Sequence, residues 1–277
     1  MPAVDWKSAI RYAELVTMAY KVAPNAQYTN DIVGAIGQAG YTFIDAFYGN
    51  ELATDVSPHA GETVTYGYLA KSGSGEMVAV IRGTETINEW LHDFAFLFVP
   101  NPIHAGGGMT EDGFTTIYRS LRLGADPNSP AAISAISSLV KAGGISSITV
   151  TGHSLGAALA TLLTLDVGLN SGVAQTTCYT FASPRVGEQL FQHTYDSVVP
   201  DSYRIYNRPD VVPQTPVYPY EHVGYDVELV PVFNSLDATC ACWHSIDTYL
   251  WLMDQQAGGN TLKVDAECQG SAYPGPK

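Results

Sequence analysis

Positive charge is what this 277-residue sequence has least of. Only 14% of its residues are Asp, Glu, Lys or Arg, and 13 Lys+Arg stand against 27 Asp+Glu, a formal net charge of −14. A protein that reads nucleic acid neutralises phosphates with clustered cations, and none are clustered here, so nucleic acid is excluded as a partner. An anionic bilayer repels a chain of this sign. No stretch approaches the roughly 20 consecutive apolar residues of a membrane-spanning helix, so no transmembrane segment is expected. Residues 1–25 carry Asp5 and Glu14 where an export leader would keep an unbroken apolar stretch, and no signal peptide is expected there. Internal repeats, low-complexity blocks and linkers are missing as well. With 46% hydrophobic residues the composition is that of a soluble globular protein, read as one domain over residues 1–277.

Cysteine is scarce, at four residues: Cys178, Cys240, Cys242 and Cys268. The run Cys240-Ala241-Cys242-Trp243-His244 gathers soft ligands, but the paired C-x2–4-C and H-x3–5-H spacings of zinc sites do not occur, and no metal is expected. A bridge from Cys242 or Cys240 to Cys268 would pin the tail near His244 and would fit an oxidising compartment. Cys178 reads as a buried free thiol in a strand. Phosphate-cradling patterns are also absent, and Gly106-Gly107-Gly108 reads as a flexible surface loop.

What is present is alternation. Trp6, Ile10, Ala13, Val16 and Tyr20 follow Asp5, a good N-cap, at helical spacing, which predicts an amphipathic helix that packs and does no chemistry. Residues 41–48, 64–70 and 77–81 read as strands of one sheet. From Ala131 the periods alternate: a helix to Lys141, a strand at 147–151, a small-residue helix from Leu155, a strand at 176–181 and a helix at 188–198. A strand at 203–207 and a final helix at 245–253 follow. This order predicts an α/β fold with a mainly parallel sheet and helices on both faces. Residues 257–277, rich in Gly and Pro, read as a surface arm.

At the strand-to-helix junction stands Gly152-His153-Ser154-Leu155-Gly156. The pattern G-x-S-x-G places a serine on a strained turn that only small neighbours allow, and this strand-helix context is what gives it weight. A serine hydroxyl needs a base to take its proton, and the base needs an acid to orient it. Asp210, framed by Pro209 and Pro213 after a strand, is the candidate acid. Asp166, Asp196, Asp201 and Asp247 read as solvated surface charges. His244, last in chain order, is the candidate base and His222 its rival, while His153 is set aside because its side chain points away from its neighbour's on a tight turn.

These residues, with others in order, resemble those of the class 3 lipases. The landmarks are Val80-Ile81-Arg82-Gly83-Thr84, Trp90 and Asp93, Gly152 to Gly156, and Tyr179-Thr180-Phe181-Ala182-Ser183-Pro184-Arg185-Val186-Gly187. They continue with Asn207-Arg208-Pro209-Asp210-Val211-Val212-Pro213, His222-Val223-Gly224 and His244-Ser245-Ile246. One departure is Glu111-Asp112-Gly113-Phe114, where the family has H-x-G-F. The resemblance implies an α/β-hydrolase fold, with Ser154 as nucleophile, Asp210 as acid, His244 as base and the amides of Thr84 and Leu155 as oxyanion hole. It also implies that Asp93 supports Thr84, that no cofactor is needed and that the protein is secreted.

Ile87, Trp90, Leu91 and Phe94 fall at i, i+3, i+4 and i+7, one apolar helical face. A helix packed permanently on the core would show the same pattern. By resemblance, residues 85–95 form a helical lid over the active site, opening at a lipid-water interface, with Phe96 to Val99 extending the apolar wall. The expectation is a serine ester hydrolase acting on acylglycerols, most closely a triacylglycerol lipase. The alternatives are a feruloyl-type esterase, a phospholipase A1 and, remotely, an inactive lipid-binding relative. No obligate protein partner is expected.

Overall fold

The computed structural model describes residues 4–51, 62–84, 96–230 and 235–271. Asp5 accepts a hydrogen bond from the Lys7 amide and opens helix α1 (Trp6–Tyr20); Thr29 caps α2 (Asn30–Gln38) through the Ile32 amide. Three strands follow, β1 (Tyr41–Asn50), β2 (Thr63–Ser72) and β3 (Glu76–Ile81). Next come β4 (Phe98–Pro100), β5 (Met109–Glu111), α3 (Asp112–Ser120), β6 (Arg122–Leu123) and α4 (Ala132–Ala142). The α/β alternation then runs β7 (Ser147–His153), α5 (Leu155–Asn170), β8 (Gln175–Phe181), β9 (Gly187–Glu188), α6 (Gln189–Val198) and β10 (Asp201–Asn207). The chain continues through β11 (Tyr220–Glu221), β12 (Tyr225–Leu229), the five-residue helix α7 (Cys240–His244) and α8 (Ile246–Gln256).

Eight strands form one sheet in the order β12-β10-β8-β7-β3-β2-β1-β6. The β12, β10, β8, β7 and β3 neighbours pair in parallel, while β2, β1 and β6 continue the sheet antiparallel. The side-chain period of two sends alternate residues of β3 to opposite faces. Met77, Ala79 and Ile81 join a core with α3, α4 and α5, whereas Val78 and Val80 join a core with α1 and α8. The sheet is therefore covered on both sides, as the alternation of elements predicts.

The structure adds elements that lack a periodic signature. Strands β4, β5, β9 and β11, each of two or three residues, form a second antiparallel sheet in the order β11-β9-β5-β4. It takes in Phe98 and Val99, which were expected to extend a lid wall. The Gly106–Gly108 segment is the turn of its β4–β5 hairpin, closed by the Asn101 amide on the Gly108 carbonyl at 3.0 Å.

Two readings of surface residues need correction. Asp166 is buried, not solvated: Tyr118 donates to its Oδ2 and Asn170 to its Oδ1 at 2.6 Å. The reason is that α5 is buried from Leu155 through Val167, so none of its faces in that stretch is left for water. In the segment read as a surface arm, Val264 and Cys268 are buried, and a disulfide joins Cys242 to Cys268. Backbone bonds from Asp237 to Cys268 (2.9 Å) and from Gly270 to Ser235 (3.0 Å) hold the segment alongside residues 235–237. Cys178 is a buried free thiol and Cys240 an exposed one.

Glu111, where the sequence departs from H-x-G-F, is the N-cap of α3 and accepts from the Phe114 amide at 2.7 Å. Burial raises its pKa from 4.5 to about 7, against the lowering effect of the amides of Phe114 and Gly113. A folded-state pKa above the unfolded one means that the native protein holds the proton longer. Glu111's contribution to stability is thus fully present below pH 4.5 and is lost as pH rises through about 7. Glu111→Gln keeps the acceptor and removes the titration, so thermal melts at pH 4.5 and 7.5 should show a smaller loss of Tm with rising pH in the variant than in the parent. The Cys242–Cys268 bridge closes a loop of 26 residues. Replacing both cysteines by alanine should lower the unfolding free energy by about 3 kcal/mol in chemical denaturation.

Candidate active site

Strand β7 ends at His153 and α5 begins at Leu155, so Ser154 must reverse the chain alone. It does so at φ 59° and ψ −130°, a conformation that L-residues adopt only under strain. The flanking glycines make room for the turn. A Cβ on Gly152 would lie 2.3 Å from the Gly156 carbonyl oxygen, and one on Gly156 would lie 2.4 Å from the Ile81 carbonyl oxygen. The end of β3 is thereby packed directly against the elbow. The Ser154 amide donates to the Phe181 carbonyl at 3.0 Å, while its Oγ is buried with no hydrogen-bond partner among the described residues.

Asp210 stands in the turn after β10, its amide bonded to the Asn207 carbonyl at 2.9 Å, and its side chain is fully buried. Its Oδ2 accepts from His244 Nδ1 and from the Tyr249 hydroxyl, each at 2.8 Å, and its Oδ1 accepts from the Val212 amide at 3.0 Å. Burial and the Asp210 charge push the Tyr249 phenol well above its ordinary pKa, so it stays a donor. With Nδ1–H of His244 committed to the carboxylate, Nε2 carries the lone pair of the neutral ring. That atom, too, is buried without a partner among the described residues. The geometry thus joins His244 to Asp210 as the sequence order suggests.

The two other histidines weighed from the sequence are engaged elsewhere. His222 Nε2 donates to the Pro213 carbonyl at 2.8 Å; burial first, then Arg204 and Arg185, pull its pKa down to about 2. His153 packs its ring 4.7 Å from that of His244, and both of its nitrogens are bonded: Nδ1 to the Tyr20 hydroxyl and Nε2 to the His244 carbonyl, each at 2.8 Å. It is thus set aside as the base on a further ground: it lies against His244 with both nitrogens bonded.

Thr84 and Leu155 border the elbow from two directions. Leu155 contributes the first amide of α5, which has no intrahelical acceptor and lies at the positive end of the helix dipole. Thr84 follows Gly83, where a Cβ would come within 2.8 Å of both Ser154 Cβ and the Tyr20 hydroxyl. Thr84, Tyr20, His153, Ala241, His244, Ser245 and Ile246 line a cleft of about 310 Å³. Helix α1 therefore does more than pack, since Tyr20, its last residue, borders the cleft. Asp93 and the apolar set Ile87, Trp90, Leu91 and Phe94 lie outside the described residues. Among the described residues, no group of three or more His, Cys, Asp or Glu is placed to hold a metal ion, and no helix is long and apolar enough to cross a membrane. Tyr20 and Tyr249 were missed because nothing in a helical stripe of aromatic and aliphatic residues marks the one whose hydroxyl reaches a polar site.

The chain resembles known proteins in sequence and in fold. The chain is 31% identical over 262 residues to phospholipase A1-II 3 of Oryza sativa subsp. japonica, covering 80% of this chain and 62% of that protein. To phospholipase A1-II 4 of the same plant it is 34% identical over 223 residues, covering 72% of this chain and 56% of that protein. The chain thus spans less than two thirds of the length of either. Among solved structures, the lipase from Rhizopus microsporus var. chinensis superposes with a TM-score of 0.64 at 21% identity, over 83% of this chain and 76% of that one. Lip2 lipase from Yarrowia lipolytica superposes with a TM-score of 0.63 at 24% identity, over 82% and 80%. These likenesses establish an α/β-hydrolase lipase fold. The family model described as lipase (class 3) matches residues 78–219, about half of the chain and the stretch that holds Ser154 and Asp210, and the chain belongs to the class 3 lipase family.

Proposed function

We propose that this protein is a serine carboxylic-ester hydrolase acting on acylglycerol lipids. The observation that carries the reading is the buried chain from the Tyr249 hydroxyl and Val212 amide through Asp210 to His244, which leaves His244 Nε2 as an unpartnered base in the fold that also holds the strained Ser154. Ser154 Oγ attacks the ester carbonyl carbon while Nε2 takes its proton; the imidazolium then returns that proton to the departing alcohol oxygen as the C–O bond breaks. Water, deprotonated by the same nitrogen, cleaves the acyl-enzyme and releases the fatty acid. Asp210 holds the ring in the Nδ1–H tautomer and stabilises its charged form. The Leu155 and Thr84 amides stabilise the oxyanion, with Asp93 as a support for Thr84. Preorganised donors of this kind are worth about 3 to 4 kcal/mol each in a site that excludes water.

The apolar positions Ile87, Trp90, Leu91 and Phe94 support a greasy acyl substrate met at a lipid-water interface, and hence triacylglycerol. The rice relatives, named phospholipases A1, favour a second reading in which the same groups cleave a phospholipid acyl ester. Neither reading requires a cofactor.

Ser154→Ala should lower kcat by about 10⁴-fold or more with an unchanged melting curve, because removing a nucleophile leaves only binding and oxyanion stabilisation. Appreciable turnover in this variant would assign the attack elsewhere. Fatty-acid release from triolein and from phosphatidylcholine, compared with hydrolysis of methyl ferulate, separates the substrate readings. A glycerolipid should be the fastest of the three, with preference for phosphatidylcholine marking the phospholipase reading. Fastest hydrolysis of methyl ferulate would overturn the acylglycerol assignment.

A further inference from the structure

Helix α7, which carries His244, is five residues long, well below the length at which a helix is stable by itself, so the aim of the imidazole depends on what holds α7 from outside. Its last two carbonyls are both taken by side chains from strand ends. Asn207 Nδ2, from β10, donates to the Trp243 carbonyl at 3.0 Å, and His153 Nε2, from β7, meets the His244 carbonyl at 2.8 Å. The second bond continues. His153 Nδ1 meets the Tyr20 hydroxyl at 2.8 Å, and the Gly83 amide donates to that same hydroxyl oxygen at 2.9 Å.

The carbonyl end of this chain fixes the proton on His153. The His244 carbonyl has only lone pairs to offer, so the hydrogen lies on His153 Nε2. A neutral ring then presents a lone pair at Nδ1 towards the Tyr20 O–H, and the Tyr20 oxygen receives the Gly83 N–H. The sequence Gly83 N–H to Tyr20 O–H to His153 to His244 C=O leaves no donor facing a donor. It links the residue before Thr84, the residue before Ser154 and the backbone of His244 itself, three segments far apart in the sequence.

We propose that Tyr20 and His153 are positioning residues for the ester-hydrolysis reaction, forming a relay that fixes the backbone of His244 relative to the nucleophile elbow and the oxyanion strand. The assignment of His244 as base in this proposal rests on the reading given under Proposed function. Burial and the neighbouring His244 hold the His153 pKa well below its ordinary value. The ring lying 4.7 Å from His244 thus stays uncharged. When His244 becomes an imidazolium during turnover it meets no like charge there, and Tyr249, whose ring lies 6.0 Å from His153 on the side of α8, is neutral as well.

Four variants test the relay. Tyr20→Phe keeps the ring and removes the hydroxyl. His153→Phe keeps bulk and aromaticity and removes both polar atoms. His153→Gln can place an amide N–H where Nε2 lies, whereas the shorter amide of His153→Asn reaches only the Nδ1 position. Tyr20→Phe, His153→Phe and His153→Asn should each lower kcat by about 10- to 100-fold with KM changed less than about twofold, the cost of a misaimed catalytic group. His153→Gln should recover part of the loss, because it restores the bond to the His244 carbonyl and not the one to Tyr20. A role in packing alone predicts the opposite ranking, with Phe the better substitute and Gln the worse, and that ranking would overturn the proposal.

A second readout does not depend on activity. Amide hydrogen exchange in residues 240–246 should be faster in Tyr20→Phe and His153→Phe than in the parent and slower in His153→Gln than in His153→Phe. The imidazole nitrogen shifts of His153 should report the Nε2–H tautomer. An Nδ1–H tautomer, or exchange in 240–246 that is the same in all four variants and the parent, would refute the relay. If the parent hydrolyses no ester and Ser154 takes no fluorophosphonate label, the functional reading falls, and the exchange and tautomer measurements still decide whether the relay exists.

Discussion

A carboxylate with no surface exposed to water has to find its hydrogen-bond donors inside the protein, and Asp210 finds three. Their origins organise this part of the molecule. The Val212 amide comes from the same turn, the Tyr249 hydroxyl from α8 on the far side of the sheet's end, and His244 from the short helix between β12 and α8. Satisfying one buried charge therefore fixes β10, α7 and α8 relative to one another. The Tyr249 hydroxyl also accepts the Asn207 amide at 3.0 Å, which ties the end of β10 into the same knot. Removing one of these donors strands charge in a dry site, where the desolvation cost is greatest.

The Ser154 side of the site depends on close approach. Ser154 holds a positive φ because Gly152 and Gly156 let β3, β7 and α5 come within distances that a side chain would forbid. Strain of this kind persists only where the surroundings over-determine the backbone. Here they do, through the Ser154 amide on the Phe181 carbonyl, the first turn of a helix buried from Leu155 through Val167, and Gly83 pressed against the serine from the side.

Much of this architecture is written locally in the sequence. Strands β3, β7, β8 and β10 and helices α4, α5, α6 and α8 announce themselves through periodicity, and Gly152–Gly156 is recognisable because a strand precedes it and a helix follows. What was not legible depends on partners distant in the chain. Strands of two or three residues, such as β9 and β11, have no period to detect. Helix α7 is a single turn with a Thr239 cap, too short for an amphipathic pattern. An acidic residue in a helix usually faces water, and Asp166 is an exception. The unbroken small and apolar character of residues 155–165 was a signal that this helix has no wet side. The choice between Cys240 and Cys242 as the partner of Cys268 depended on which thiol faces inward, and single-residue spacing in the sequence does not say.

That disulfide has a consequence for the chemistry as much as for the fold. Cys242 sits two residues before His244 on a helix barely longer than one turn, and Cys268, which ends the 3-10 turn Ala266–Cys268, brings the passage from Val264 to Gly270 against it. The stretch beyond α8 is thus part of the mounting of the imidazole rather than an appendage. A disturbance near residue 268 is transmitted through two sulfur atoms to within one turn of the nitrogen proposed to move the proton.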